Sequence, residues 1–243
     1  MEVTRHLSAK LAKKAVTHFW QVREAQALKQ RNSGRSDQGF RGAATGGAQM
    51  NGFIAALQKL AEIAGVPQSA VYTKIRFLEL PGYFRPTKQW DLLIVLEGVL
   101  LAAIEVKSQV GPSFGNNFNN RTEEAMGSAL DLWTAFREKA FKRTVRPWLG
   151  YVFLLEDCPQ SQAPVSVREP HFEVFPEFHE ASYAQRYEVF CKKLVLERHY
   201  DATAFLLSKR DDGLRGRYAE PCQDIGFHRF AASFVSHLKG HKP

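Results

Sequence analysis

Apolar residues at Leu7, Leu11, Ala15, Phe19 and Val22 recur at helical spacing beside a basic face and predict a helix over about 5–29. The next stretch, NSGRSDQGFRGAATGGAQ (32–49), is glycine-rich and polar and reads as a long loop or a disordered segment. No Gly-Lys-Ser/Thr follows its glycines, which excludes a Walker-type phosphate cradle. A second amphipathic helix runs from Met50 to Ala64 through Phe53, Ile54, Leu57 and Ala61, and Gly65 and Pro67 stop it. Val71 to Leu78 alternates, with Val71, Thr73, Ile75 and Phe77 on one face and Lys74 and Arg76 on the other, so a strand is expected. After the turn-rich LPGYFRPTKQ (80–89) come two nearly continuous apolar runs, 90–96 and 99–107, separated by Glu97-Gly98. They predict a buried hairpin, apolar on both faces.

The stretch SQVGPSFGNNFNN (108–120) reads as neither helix nor central strand. Asn120, with Glu123 three residues on, predicts the start of a helix that reaches about residue 142 through Ala125, Ala129, Leu132, Trp133 and Phe136. Pro147 precedes another buried strand (149–157), and 158–180 is proline-rich and aromatic. Ser182 and Gln185 form a capping-box pattern before a helix through Tyr183, Tyr187, Phe190 and Leu194. A short strand (203–207) and a last helix through Phe227, Phe230, Phe234 and Leu238 complete the pattern. The class is α/β, in the order helix, three strands, helix, strand. With no repeat and no clean linker, one domain over 1–243 is expected, comprising a helical N-terminal arm (5–29), the glycine-rich loop (32–49) and an α/β C-terminal extension (about 158–243).

Composition narrows the functional classes. Apolar residues make up 44% and charged residues 24% of 243, enough for a packed core and too little charge for a disordered chain. Lys and Arg outnumber Asp and Glu by 33 to 25, and the formal charge of +8 favours a polyanionic partner, although a merely basic soluble enzyme fits it equally. The longest apolar runs fall far short of the roughly 20 residues that span a bilayer. Three cysteines without CxxC spacing and an N-terminus lacking an apolar signal segment fit the reducing cytoplasm. The histidines show no HExxH spacing, which removes support for transition-metal chemistry.

One constellation carries chemistry. Asp91 begins the first hairpin strand, and Glu105 and Lys107 lie two apart near the end of the second, hence on one face. Two carboxylates and an ammonium in so apolar a region are costly unless they pair or hold a metal. They form a minimum set for Mg²⁺-assisted phosphodiester hydrolysis, with Asp91 and Glu105 as hard oxygen ligands and Lys107 beside the developing charge. The plainer alternative is a Glu105–Lys107 ion pair at an exposed strand end. Strand parity adds a condition. A plain two-residue turn pairs Leu96 with Val99 and sets Asp91 opposite Ile104, so that the two carboxylates point to opposite faces. The nuclease chemistry therefore requires a three-residue loop or a bulge that shifts the register by one.

The stretches LPGYFRPTKQWD (80–91), AAIEVKSQVGPSFGNNFNNRTEEA (102–125), LLEDC (154–158) and PHFEVFPEFHEASYAQRYEVFCKKL (170–194) resemble those of the XhoI family of type II restriction endonucleases, within the PD-(D/E)xK nucleases. The resemblance covers roughly 45–196 and implies a restriction-endonuclease-like core with a mixed central sheet flanked by helices. It also implies Asp91, Glu105 and Lys107 as catalytic residues, Mg²⁺ as cofactor, and a homodimer on double-stranded DNA. The expected site is the palindrome CTCGAG, cut after the first C, and a cognate DNA methyltransferase is implied genetically, not as a physical partner. Trp90 stands where a proline is common before the first acid. Where related enzymes place a further acid on the preceding helix, this chain offers Gln58 and, near the helix end, Glu62.

Arg85 and Lys88 are expected phosphate contacts, with solvated turn charges as the alternative. Asn116, Asn117, Asn119, Asn120 and Arg121 have the chemistry to read adenine and guanine edges, although asparagines here equally build turns and caps. Two rival functions remain at this stage: a structure-specific repair or recombination nuclease, and a DNA-binding protein without catalysis.

Overall fold

In the computed structural model, residues 3–32, 47–141 and 145–241 are described. Most of the stretch read as a glycine-rich loop (33–46) lies outside them, and its end, Ala48–Met50, forms a single 3-10 turn. Helix α1 (Arg5–Asn32) buries Ala12, Ala15, Val16, Phe19 and Trp20. It packs against α2 (Asn51–Ala64), which ends at Gly65 in the left-handed region.

The alternation over 71–78 yields only a two-residue strand, β1 (Val71–Tyr72), followed by a 3-10 turn at Ile75–Phe77. The expected strand is cut short because its partner runs out. Tyr72 pairs with Leu93, and the partner strand begins at Leu92, so nothing remains for Lys74 to pair with. Lys74 and Arg76 therefore form no row on a strand face. The stretch read as turns instead contains a small hairpin, β2 (Glu79–Pro81) with β3 (Thr87–Gln89).

Strands β4 (Leu92–Leu96) and β5 (Val99–Gln109) form the expected hairpin. Glu97 and Gly98 both take positive φ, 50° and 76°, as a tight two-residue turn demands. Helix α3 (Phe114–Arg137) starts six residues before the predicted cap at Asn120, so all four asparagines lie on its first turns, not in a loop. Packing overrides their weak helix propensity. Phe114 stacks on Tyr183, and Phe118 meets Tyr187 and Phe190 edge-on. Strand β6 (Trp148–Glu156) is followed by a one-turn helix, α4 (Pro159–Gln162), and by α5 (Tyr183–Leu196). Helix α5 carries the predicted capping box, with Ser182 Oγ accepting from the Gln185 N–H and the Gln185 side chain accepting from the Ser182 N–H. Strand β7 (Ala202–Ser208), α6 (Arg210–Leu214) and α7 (Phe227–Gly240) complete the chain.

The five-stranded sheet has the order β1-β4-β5-β6-β7, antiparallel from β1 to β5 and parallel from β5 to β7. Helices cover both faces. Leu92, Ile94, Ile104, Val152 and Leu154 meet α1, α2 and α7, whereas Leu93, Ala103, Tyr151, Phe153 and Phe205 meet α3 and α5. No helix among the described residues is long and apolar enough to cross a membrane.

Gly150, in the middle of β6, has no room for a side chain. A Cβ there would lie 2.3 Å from the Trp148 ring and 3.0 Å from that of Phe230. Gly150→Ala is expected to cost about 1–3 kcal/mol by overpacking, read as a lower melting temperature with the secondary-structure content unchanged.

Candidate active site

The geometry of the site starts from a register shift. At the turn, Leu96 pairs with Val99 and Val95 with Leu100; beyond Ile94 the pairing becomes Ile94–Ala102, Leu93–Ala103 and Leu92–Ile104. The extra residue in β5 is a bulge at Leu101, and Leu101 and Ala102 both face the α1–α2 side. Parity flips there. Extended by one residue, the register sets Asp91 opposite Glu105, and Asp91, Glu105 and Lys107 share the face that meets α3 and α5.

On that face Lys107 Nζ lies 2.9 Å from Glu105 Oε1 and 3.4 Å from Asp91 Oδ2. The Val106 N–H donates to the same Asp91 oxygen at 2.8 Å, fixing that carboxylate against the strand. Glu105 has 3% of its side chain exposed, Lys107 24% and Asp91 34%, so the cluster grades from the core to an open cleft. Burial alone would push the Glu105 carboxyl up, but the Lys107 and Lys88 ammonium groups beside it outweigh that cost and hold it ionised, below its usual range. Burial likewise works against the charge on Lys107, and the facing carboxylates overcome it and raise its pKa.

Lys88, expected as a phosphate contact, is instead folded inward. Its Nζ donates to Glu105 Oε1 at 3.1 Å and lies 4.7 Å from the centre of the Trp90 ring. Tyr200 closes the far side of Glu105, its hydroxyl 3.4 Å from Oε2 and 3.1 Å from the Ala125 carbonyl. Arg85 donates through Nε to Asp131 Oδ2 at 2.8 Å, while Asp131 Oδ1 accepts from the Tyr83 and Phe84 N–H groups, so one buried carboxylate sets the tip of the β2–β3 hairpin.

Two hollows meet at the cluster. Asp91, Lys107, Asn116, Asn117 and Arg121 line one, with Arg23 and Gln49; Lys88, Glu105, Lys107 and Arg121 line the other, with Phe84 and Arg85. Asn119 and Asn120 are exposed and line neither. Glu62 is solvent-facing and pairs with Lys59 at 2.7 Å, and Gln58 lines neither hollow. The polar residues that the first helical layer does bring to the cleft are Arg23 of α1 and Gln49, buried in the turn before α2, with an Oε1 that has no hydrogen-bond partner among the described residues.

Periodicity and motif spacing do not reveal Gln49, Arg23, Tyr200 or the inward turn of Lys88. Only Gln109 left a local signal, as the third polar residue at alternate positions after Glu105 and Lys107 on an apolar strand. It is buried and accepts a hydrogen bond from Tyr187. The others come from distant segments whose approach no local pattern records.

The donor set suits a hard divalent cation. Two carboxylates are gathered at one ammonium, and the described residues contain no cluster of three or more His, Cys, Asp or Glu side chains that could hold a metal. A closed zinc site needs such a cluster, whereas Mg²⁺ uses one or two carboxylates with waters and substrate phosphate.

A mixed sheet flanked by helices, with acids and a lysine on one face beside a basic cleft, is the arrangement of a restriction-endonuclease-like hydrolase. A family model described as "Restriction endonuclease XhoI" matches residues 29–220. Type II restriction enzyme BstVI of Geobacillus stearothermophilus is 56% identical over 207 residues, covering 83% of this chain and 92% of that protein. Type II restriction enzymes XhoI of Xanthomonas vasicola (48% over 189 residues, 77% and 75%) and AbrI of Azospirillum brasilense (49% over 161 residues, 66% and 72%) are also similar. No solved structure matches. The chain belongs to the XhoI family of restriction endonucleases, which are site-specific deoxyribonucleases.

Asp131 provides a test of the hairpin anchor. Burial opposes its charge, but the Phe84 N–H, the Arg85 guanidinium and the Tyr83 N–H together hold its carboxyl below the ordinary value of 3.8. A depressed folded-state value contributes stability above the unfolded pKa and loses it as pH falls through the folded one. Asp131→Asn is expected to cost about 1–3 kcal/mol at pH 7, and the gap to the parent should narrow below about pH 4. Urea melts at several pH values measure it; a gap that stays constant into acid contradicts the ion pair.

Proposed function

We propose that the protein is a Mg²⁺-dependent type II restriction endonuclease that cuts both strands of the palindrome CTCGAG after the first C, acting as a homodimer. The observation that carries the chemistry is Lys107 Nζ held between Glu105 and Asp91 on one strand face at the edge of a basic cleft. The palindrome and cut position rest on the family resemblance. A two-fold site cut symmetrically calls for two copies related by the same axis. The whole chain serves as one restriction-endonuclease-like domain, a reading supported by β7, which carries the C-terminal part into the sheet, and by α1, which packs on both α2 and α7. Its compartment is the cytoplasm, consistent with three unpaired thiols, and host DNA is protected by a cognate methyltransferase.

Asp91 and Glu105 would hold the cation, which supplies charge neutralisation at the phosphate and an activated water. Lys107, held between Glu105 and Asp91, would steady the attacking water and the negative charge that develops on the phosphoryl oxygens. Burial of Glu105 keeps its orientation fixed, so little reorganisation is needed during reaction. Arg121, which lines both hollows, and Arg23 place further positive charge where a DNA strand would run. Asn116 and Asn117, the asparagines of the motif that line the cleft, would contact DNA there, and Arg85 would reach the phosphates from its pair with Asp131.

Digestion of a sequenced plasmid with Mg²⁺, followed by end mapping, tests the reading. Discrete fragments with four-base 5′ overhangs at CTCGAG are expected, and EDTA should stop cutting. Smeared or junction-dependent products would instead support a structure-specific nuclease, and a DNA shift without cutting a binding protein. Asp91→Ala and Glu105→Ala should abolish cleavage while specific binding in Ca²⁺ survives. Lys107→Ala should lose at least about 100-fold in rate. A Glu105→Ala protein that cuts near the parent rate would overturn the assignment.

Assembly and charge are tested separately. Sedimentation with a cognate duplex should give two chains per site, and affinity should fall steeply with salt as phosphate contacts release counterions. One chain per duplex would refute the dimer.

A further inference from the structure

Lys88 touches Glu105 without belonging to the proposed catalytic set. It belongs to the small β2–β3 hairpin, not to the five-stranded sheet, yet only 12% of its side chain is exposed. Lysine is rarely buried unless it is paired. Its partner is Glu105 Oε1, the oxygen that Lys107 also holds, at 3.1 and 2.9 Å respectively. The other oxygen, Oε2, faces the hydroxyl of the buried Tyr200. Oε1 is therefore the Glu105 atom turned toward the cleft, and two ammonium groups already occupy its lone-pair side.

The charges of Asp91, Glu105, Lys88 and Lys107 sum to zero. A divalent cation entering such a set gains no net attraction from it and must compete for Oε1. Lys107 is held from two sides by Glu105 and Asp91, whereas Lys88 has, among the described residues, Glu105 as its single carboxylate partner and otherwise donates to the carbonyl of the adjacent Gln89. Lys88 is the cation that can leave. It lines the same hollow as Arg85 and Arg121, which are paired there with Asp131 and Glu124, so a DNA phosphate that entered would offer the Lys88 ammonium a new partner.

We propose that Lys88 is a competing cation at Glu105: it occupies the oxygen a divalent metal requires, keeps metal affinity low in the free protein, and yields when a DNA phosphate enters the cleft. Metal binding is thereby coupled to substrate, and by linkage each strengthens the other. The inference rests on the metal-dependent reading of Asp91 and Glu105 given above.

The test is Ca²⁺ binding by calorimetry, with the full-length protein alone and with a cognate duplex, in the parent, Lys88→Gln and Lys88→Arg. Removing a unit charge beside the carboxylate should tighten Ca²⁺ binding to the DNA-free protein by at least about tenfold. The enhancement by DNA should shrink correspondingly in Lys88→Gln, while Lys88→Arg, which keeps the charge, stays within about threefold of the parent. Lys88→Met, which keeps the stem over Trp90, should give the same sign and stands in should Lys88→Gln not fold. Ca²⁺ affinity in Lys88→Gln equal to or weaker than the parent's overturns the proposal and leaves Lys88 a structural ion-pair partner. Asp91→Ala separates the two levels. If it leaves parent Ca²⁺ binding intact, the metal site itself is wrong; if it abolishes binding while Lys88→Gln changes nothing, only the role of Lys88 fails.

Discussion

The parity of one β-strand governs this site. Side chains alternate across a strand, so the two carboxylates can serve one cation only if the β4–β5 register has an even index sum near Asp91. The two-residue turn at Glu97-Gly98 starts the ladder with the odd sum, and the bulge at Leu101 changes it before the ladder reaches Ile104. Leu101 and Ala102 both enter the α1–α2 side of the core, so the bulge is held by apolar packing on the face away from the cluster. The chemistry of one face thus depends on how the other face packs.

Parity brings the charges together, and burial then makes their pairing obligatory. A lone carboxylate placed where Glu105 sits would take up a proton and not stay charged. Two lysines prevent that, one from its own strand and one from a separate hairpin. Truncating one partner of such a buried set typically costs about 3–5 kcal/mol because the other is left unpaired. The site is consequently part of the fold's own energetics, and Trp90, nearly fully buried beneath Lys88, ties the hairpin to the sheet at the same point.

A second buried carboxylate does related work at the rim. Asp131 receives two backbone N–H groups and the Arg85 guanidinium, and it fixes a hairpin tip that presents Tyr83 and Phe84 to solvent beside the cleft. The two acids differ in what surrounds them. Asp131 is met chiefly by fixed backbone donors, which cannot move away, whereas Glu105 is met by two ammonium groups, of which that of Lys88 can leave. A structural anchor and an exchangeable ligand are the corresponding outcomes.

Local pattern alone determined much of this protein. Periodicity bounded α2 and β6 to within a residue and located α5 and α7, because each is long or strongly apolar, and the cap of α5 is encoded nearby in Ser182 and Gln185. The Asp91, Glu105 and Lys107 set is legible because charges in an apolar hairpin are anomalous in themselves, and parity dictates what the hairpin must do to unite them. Tertiary structure decided the rest. It turned the NNFNN segment into helix, since Phe114 and Phe118 find aromatic partners some seventy residues away that outweigh asparagine's weak propensity. It ended β1 after two residues because its partner strand begins at Leu92 and offers nothing further to pair with. It also converted Lys88 from an apparent surface charge into a partner of Glu105, and brought Gln49 to the cleft where Gln58 and Glu62 were the candidates. A sequence specifies which side chains can bear charge or hide from water over a few residues, but which charges meet depends on segments far apart in the chain, and only the packed fold settles that.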